Sequence, residues 1–160
     1  MLKEHKELYI KFLLNKGLDA THNIQFTVNG TSMLPCLQNG DSVNIKRFDI
    51  YDIGDILVFN YSNVGLLIHR LIKIDNSKFY FKGDNTFHLE CVLADQILGK
   101  VIHIKRNDNF ITLPSVNSDF IELSLKVNDL YKYYNYDYKK IIKNNIYLIF
   151  KERYLECFHT

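Results

Sequence analysis

The segment Gly30-Thr31-Ser32-Met33-Leu34-Pro35 places a serine in a turn between a glycine and a proline. Gly30 can adopt backbone angles that other residues avoid, and Pro35 fixes its own φ while favouring an extended residue before it. Such a rigid turn can hold the Ser32 hydroxyl outward and direct a backbone N–H at a developing oxyanion. A serine in a turn is by itself usually structural, so the nucleophile interpretation depends on residues later in the chain.

Short alternating or apolar segments succeed one another from Ile24 to about Leu113, separated by turn signals such as Asn39-Gly40 and Gly54-Asp55. The predicted strands cover residues 24–28, 42–46, 56–59, 66–74, 78–82, 97–105 and 110–113. The apolar run at 56–59 is expected to be buried, and hairpin turns are expected at 75–77 and 106–109. Many short strands joined by Gly and Asp turns predict a mainly β (α+β) fold, built as a curled antiparallel sheet or a partly open barrel.

Helical patterns flank this region on both sides. Residues 2–16 have an amphipathic pattern that ends at Gly17, which predicts an N-terminal helix. Residues 119–134 and 138–156 predict two C-terminal helices. Five tyrosines between residues 131 and 138 are expected to pack where helices meet the sheet, with a peptide- or membrane-contacting patch as the alternative.

The chain is short enough for a single domain over residues 1–160. We expect an N-terminal helix at 1–17, a β core at 24–113 and a helical C-terminal appendage at 117–158.

Charge argues against a nucleic-acid partner, and hydropathy argues against a transmembrane span. The 20 Lys and Arg residues nearly balance the 18 Asp and Glu residues, which gives a net charge of +2. Because nucleic-acid binding requires a concentrated basic face, we expect no nucleic-acid partner. No apolar run is long enough for a transmembrane span or a signal peptide. The expected location is the cytoplasm, with peripheral contact of residues 2–16 or 138–156 with a membrane as an alternative.

The three cysteines, Cys36, Cys91 and Cys157, follow no disulfide or zinc spacing, which indicates a reducing compartment. Cys36 is expected to be buried and inert rather than a reactive thiol. The sequence predicts no cofactor and no metal.

His69 lies 37 residues after Ser32, in Ile68-His69-Arg70-Leu71, on a predicted strand where it shares a face with Leu67 and Leu71. Imidazoles have an ordinary pKa of about 6.5 and can accept a serine proton near neutral pH. A lone histidine is more often structural, but the serine turn upstream favours Ser32 as nucleophile and His69 as general base.

A carboxylate that holds the second ring nitrogen would orient such a histidine, and two acids are candidates. Asp84 lies in the turn Gly83-Asp84-Asn85, where its structural alternative is to cap the turn or pair with Arg70. Glu90 comes six residues later. We rank Asp84 slightly first and expect Arg70 to be structural.

An ordered series of short motifs covers about residues 26–104. The motifs are Gly-Thr-Ser-Met-Leu-Pro, Asn-Gly-Asp, Gly-Asp-Ile-Leu-Val-Phe, Ile-His-Arg-Leu, Lys-Gly-Asp-Asn and Ile-Leu-Gly-Lys-Val. In this order they resemble the S24/S26 serine peptidase superfamily, and within it they look most like type I signal peptidases. His69 stands where typical bacterial members have a lysine, as in the endoplasmic-reticulum and archaeal type that uses a serine–histidine pair. In that type the acid lies near the position of Glu90.

The resemblance implies a mostly β peptidase fold and a serine endopeptidase that cleaves a precursor or leader peptide after small residues. The membrane anchor usual in secretory signal peptidases is missing from the pattern, so we expect a soluble relative acting inside the cell. Gly30 also lacks the hydroxyl that some signal peptidases add to the oxyanion hole.

Two alternatives remain at this stage. A self-cleaving repressor is disfavoured because the pattern contains no helix-turn-helix domain and no lysine at the base position. A catalytically silent peptide-binding or accessory protein on the same fold is the second.

Overall fold

The alternating segments form eight antiparallel strands, and the computed structural model describes residues 24–156 of the chain. The strands are β1 (Ile24–Thr27), β2 (Ser42–Lys46), β3 (Ile56–Tyr61), β4 (Gly65–Asp75), β5 (Lys78–Lys82), β6 (Glu90–Leu93), β7 (Ile97–Arg106) and β8 (Asn109–Ile111). Their order in the sheet is β1-β2-β7-β3-β4-β5-β6, with β8 also paired to β7. The mainly β fold with an open sheet is confirmed, although β6 was not predicted.

Irregular pairing accompanies the curl of the sheet. Register shifts occur between Asn44 and Ile45 where β2 meets β7, and between Val58 and Phe59 where β3 meets β7. Another lies in β4 where it meets β5. Bulges of this kind bend a strand and increase its twist. The sheet therefore curls while its outer strands, β1 and β6, do not pair with each other.

Tight hairpin turns lie at two of the predicted positions. Asn76 and Ser77 join β4 to β5 with φ of 46° and 63°, and Asn107 and Asp108 join β7 to β8 with φ of 48° and 66°. Two consecutive residues with positive φ match the right-handed twist of the flanking strands, and Asn and Asp adopt this region more readily than most residues.

The short apolar strand β3 is buried on both faces, as its sequence predicted. Ile56 and Val58 pack in one hydrophobic cluster, while Leu57 and Phe59 pack in a second one on the opposite face. The first cluster also contains three residues of the serine turn and its exit: Met33, Cys36 and Leu37. The turn that carries Ser32 is thus anchored in the core of the sheet.

The C-terminal region contains three helices rather than the two predicted: α1 (Ser118–Tyr133), α2 (Tyr138–Ile141) and α3 (Asn145–Glu156). The prediction of one helix over 138–156 is wrong because the chain turns at residues 142–144. There the side chain of Asn144 accepts the N–H of Ile146 at 2.9 Å, so it caps α3 instead of continuing a helix.

The helices pack against the sheet through a third cluster whose buried members are Phe120, Val127, Phe150 and Tyr154. The guanidinium of Arg70 lies over the Phe120 ring at 5.7 Å. Tyr131 packs on Phe87 with ring centroids 5.5 Å apart, as expected for a packing tyrosine. By contrast, the tyrosines at 133, 136 and 138 are exposed.

The predicted N-terminal helix and Cys157 lie outside the described residues. Within residues 24–156, no helix combines the length and apolar content that crossing a membrane requires.

Candidate active site

The serine turn comes soon after β1 and is shaped by Gly30, whose φ of +106° lies in the region that favours glycine. The N–H of Leu34 donates to the Thr31 carbonyl at 3.2 Å, and the Leu34–Pro35 peptide bond is cis. The prediction that Gly30 supplies an unusual backbone conformation just before the serine is confirmed.

A second turn, Gly83-Asp84-Asn85, holds the serine turn from the side. The N–H of Asn85 donates to the Ser32 carbonyl at 2.7 Å, and the Asn85 side chain donates to the Thr31 carbonyl at 3.2 Å. The N–H of Asp84 contacts the sulfur of Met33 at 3.4 Å. Two turns far apart in sequence thus fix each other.

Gly83 leaves no room for a side chain at this junction. A Cβ atom there would lie 2.7 Å from the Ser32 carbonyl oxygen, 2.8 Å from Thr86 Cγ2 and 3.0 Å from His69 Nε2. The close approach of the two turns to the histidine therefore depends on a glycine at this position.

The three polar side chains Ser32, His69 and Glu90 form a line of hydrogen bonds. His69 Nε2 lies 3.0 Å from Ser32 Oγ, and His69 Nδ1 lies 3.0 Å from Glu90 Oε2. His69 is 4% exposed and Glu90 is 2% exposed, so water has little access to their contact. A carboxylate can only accept, so Nδ1 carries the ring proton and Nε2 is left to accept the Ser32 hydroxyl.

Glu90 is shared with a second histidine. His88 Nε2 lies 3.0 Å from Glu90 Oε1. Burial opposes ionisation of Glu90, but the hydrogen bonds from His69 and His88 outweigh it and lower the pKa of the carboxyl below its ordinary value. Sequence reasoning missed His88. The available signal was its place two residues before Glu90, one of the two candidate acids.

The ranking of Asp84 as the first candidate for the acid that orients His69 is wrong, because Asp84 pairs with other residues. Its carboxylate accepts from Arg70 Nε at 2.8 Å and Nη2 at 2.7 Å, and from the Tyr154 hydroxyl at 2.8 Å. Within residues 24–156 it makes no hydrogen bond to His69. The bidentate guanidinium is a strong partner for a buried carboxylate and draws Asp84 away from the imidazole. The contact to the ring is made by Glu90, and Arg70 has the structural surroundings expected of it.

Lys82 is buried next to the site and was not singled out from the sequence. Its ammonium donates to the Gly83 carbonyl at 3.1 Å and lies over the Phe150 ring at 4.5 Å. Burial lowers the pKa of Lys82 to about 8, against the opposing charges of Asp84 and Glu90. It makes no hydrogen bond to Ser32 within the described part of the chain.

Cys36 is close to the serine in sequence but unsuited to act as a nucleophile. It is 3% exposed, and burial raises the pKa of its thiol to about 12. The thiolate is the reactive form, so this cysteine is inert near neutral pH, as expected.

A comparison with known protein families found a match that includes the segments that carry Ser32, His69 and Glu90. The family described as Peptidase S24-like matches residues 3–102, which is more than half of the chain. The chain therefore belongs to the Peptidase S24-like family, a family of serine peptidases. A search of curated proteins found no match.

Gly83→Ala is expected to disturb the contact between Ser32 and His69, because the added methyl group must displace the Ser32 carbonyl or the His69 ring. A displacement of this kind costs roughly 10²-fold in kcat/KM. Gly40→Ala is the matched control: it places a residue at a positive φ of 91°, but its methyl group meets nothing within 4 Å. Steady-state cleavage by both variants tests the point, and equal losses would contradict it.

Asp84→Asn is expected to destabilise the fold, because it leaves the Arg70 guanidinium buried without a countercharge. Breaking a buried pair costs about 3–5 kcal/mol. Urea unfolding measures the loss. Asp108→Asn is the control, since Asp108 is 94% exposed in its pair with Lys105, and removing an exposed pair has little effect on stability. Similar losses in the two variants would show that the buried pair has no special weight.

Proposed function

We propose that this protein is a serine endopeptidase in which Ser32 is the nucleophile, His69 the general base and Glu90 the orienting acid. The observation that carries the proposal is the continuous line of hydrogen bonds from the Ser32 hydroxyl through both nitrogens of His69 to Glu90. A serine needs a base within hydrogen-bond reach, and a base needs a partner that fixes its tautomer. The Peptidase S24-like membership makes this chemistry the natural use of that line.

In the proposed reaction, His69 Nε2 takes the Ser32 proton while Oγ attacks the carbonyl carbon of the peptide bond. The C–N bond then breaks, and the imidazolium returns its proton to the leaving amine, so that an ester remains on Ser32. Water hydrolyses the ester, again with His69 as base. Glu90 accepts the hydrogen bond from Nδ1–H throughout and stabilises the imidazolium.

The oxyanion of the tetrahedral intermediate needs a donor, and the Ser32 N–H is the proposed one. Within residues 24–156 this N–H donates to no other group. The Ser32 carbonyl, in contrast, is held by Asn85, so the peptide planes of the turn are fixed before substrate arrives. A preorganised donor of this type contributes about 10²–10³ in rate.

The proposed substrate is an extended precursor or leader peptide that adds a strand beside the site. β1 lies at an edge of the sheet, and only four residues separate its last residue, Thr27, from Ser32. Within the described residues its outer side has no strand partner. A peptide paired with β1 would therefore run toward the nucleophile, with main-chain hydrogen bonds supplying affinity.

Ser32→Ala is expected to abolish cleavage of a degenerate decapeptide library, read by mass spectrometry, because no hydroxyl remains to attack. Ser115→Ala, which changes an exposed serine in the loop before α1, serves as the control and keeps activity. Binding of peptides without cleavage by wild type or variant would favour the alternative, a silent peptide-binding protein on this fold.

A histidine base must be unprotonated to act, so the cleavage rate is expected to rise from the acid side, whereas Glu90, whose pKa is lowered, stays ionised from pH 5 to 9. Glu90→Gln is expected to reduce kcat by about 10²-fold or more, because a neutral amide cannot stabilise the imidazolium. Measured pH–rate profiles of both proteins test these statements. A wild-type rate that is flat over this range would argue against a histidine base.

A further inference from the structure

We propose that His88 is a positioning residue that sets the acid side of the pH range of the peptidase by sharing the Glu90 carboxylate with His69. The inference rests on the proposed function of Ser32, His69 and Glu90. It adds a residue that lies outside the three reacting groups and touches neither the nucleophile nor the base.

The geometry gives each oxygen of Glu90 to a different imidazole. Oε2 contacts His69 and Oε1 contacts His88, both at 3.0 Å. The His69 and Glu90 side chains are 5% and 2% exposed, but the His88 side chain is 56% exposed. His88 is thus the solvent-facing partner of a carboxylate whose other partner, His69, is buried, and it can exchange protons with water directly.

The groups around His88 come from three elements. Glu90 on β6 faces it directly, Lys82 on β5 acts on it as a like charge, and the Tyr131 ring on α1 lies 6.4 Å from its own. The hydrogen bond with Glu90 outweighs burial and the charge of Lys82, and raises the pKa of His88 above its ordinary value. His88 therefore remains charged to a higher pH than an isolated histidine.

The sign of the effect is set by the shared charge. As the pH falls, a proton on His88 cancels much of the negative charge that Glu90 presents to His69. A second proton on His69 then becomes less favourable, because two cations would share one carboxylate. His69 consequently keeps its free lone pair, and with it its ability to act as base, to a lower pH than it would if Glu90 had no second, charged partner.

Histidine ring titrations followed by NMR in protein carrying ¹⁵N-labelled histidines test this coupling without any substrate. In His88→Gln, which retains an N–H donor but no titratable group, the titration midpoint of His69 is expected to rise by about half a pH unit or more. In His88→Lys, which keeps a cation there, it stays at or below the wild-type value. His103→Gln is the matched control, because His103 is exposed on β7 and its ring contact is with Phe110.

The kinetic readout is the ratio of kcat/KM at pH 6 to that at pH 9, measured on a peptide that wild type cleaves and Ser32→Ala does not. His88→Gln is expected to lower this ratio about threefold, the equivalent of half a pH unit on the acid limb. His103→Gln leaves it unchanged.

The two proposals fail in different ways. If His69 titrates identically in wild type and His88→Gln, or if the ratio does not change, the role of His88 is overturned while the peptidase stands. If the NMR coupling is found but neither wild type nor any variant cleaves the library, the peptidase proposal fails, and with it the assignment of a pH range.

Discussion

The buried ion pair between Arg70 and Asp84 is the interaction on which the rest of the site depends. Both side chains are 1% exposed, and removing each charge from water costs several kcal/mol. The cost is offset by two guanidinium contacts and by the Tyr154 hydroxyl, which together satisfy the Asp84 carboxylate. Because Gly83 and Asn85 flank Asp84 in the chain, fixing this one carboxylate also places the glycine against His69 and the amide against Ser32.

The support of the site extends beyond the part of the chain that resembles the family. The Peptidase S24-like match ends at residue 102, yet α3 supplies Tyr154 to Asp84 and Phe150 to Lys82. Lys151 of the same helix reaches the side chain of Asn85 at 3.4 Å. Each contact is made with the turn Gly83-Asp84-Asn85, which holds the serine turn, or with Lys82 just before it. The helices are therefore energetically part of the catalytic apparatus that we propose, although they contribute none of its three reacting groups.

The sequence predicted the strands well where a local rule decides the outcome. Alternation located β2 and β5 to the residue, and turn chemistry located the hairpin at Asn107. It failed on the four-residue strand β6, which is too short and too irregular in polarity to stand out. It also failed at Asn144, where a side chain competes locally with the helix.

The choice between the two candidate acids depended on strand pairing. Glu90 on β6 lies opposite Phe81 on β5, and Phe81 lies opposite Leu71 on β4, two residues after His69. A sequence does not display that register, and the contact of His88 exists only once Glu90 has been placed.

The position of Tyr154 near the end of α3 has a consequence for how the protein loses its working shape. Terminal helical turns open more readily than core strands, because their backbone bonds are few and close to water. When the end of α3 frays, Asp84 loses its phenolic partner while the sheet remains intact. An opening of α3 would therefore loosen the turn that holds Ser32 while the strands stay paired, which links the helical packing of Tyr154 to the geometry of a site in the sheet.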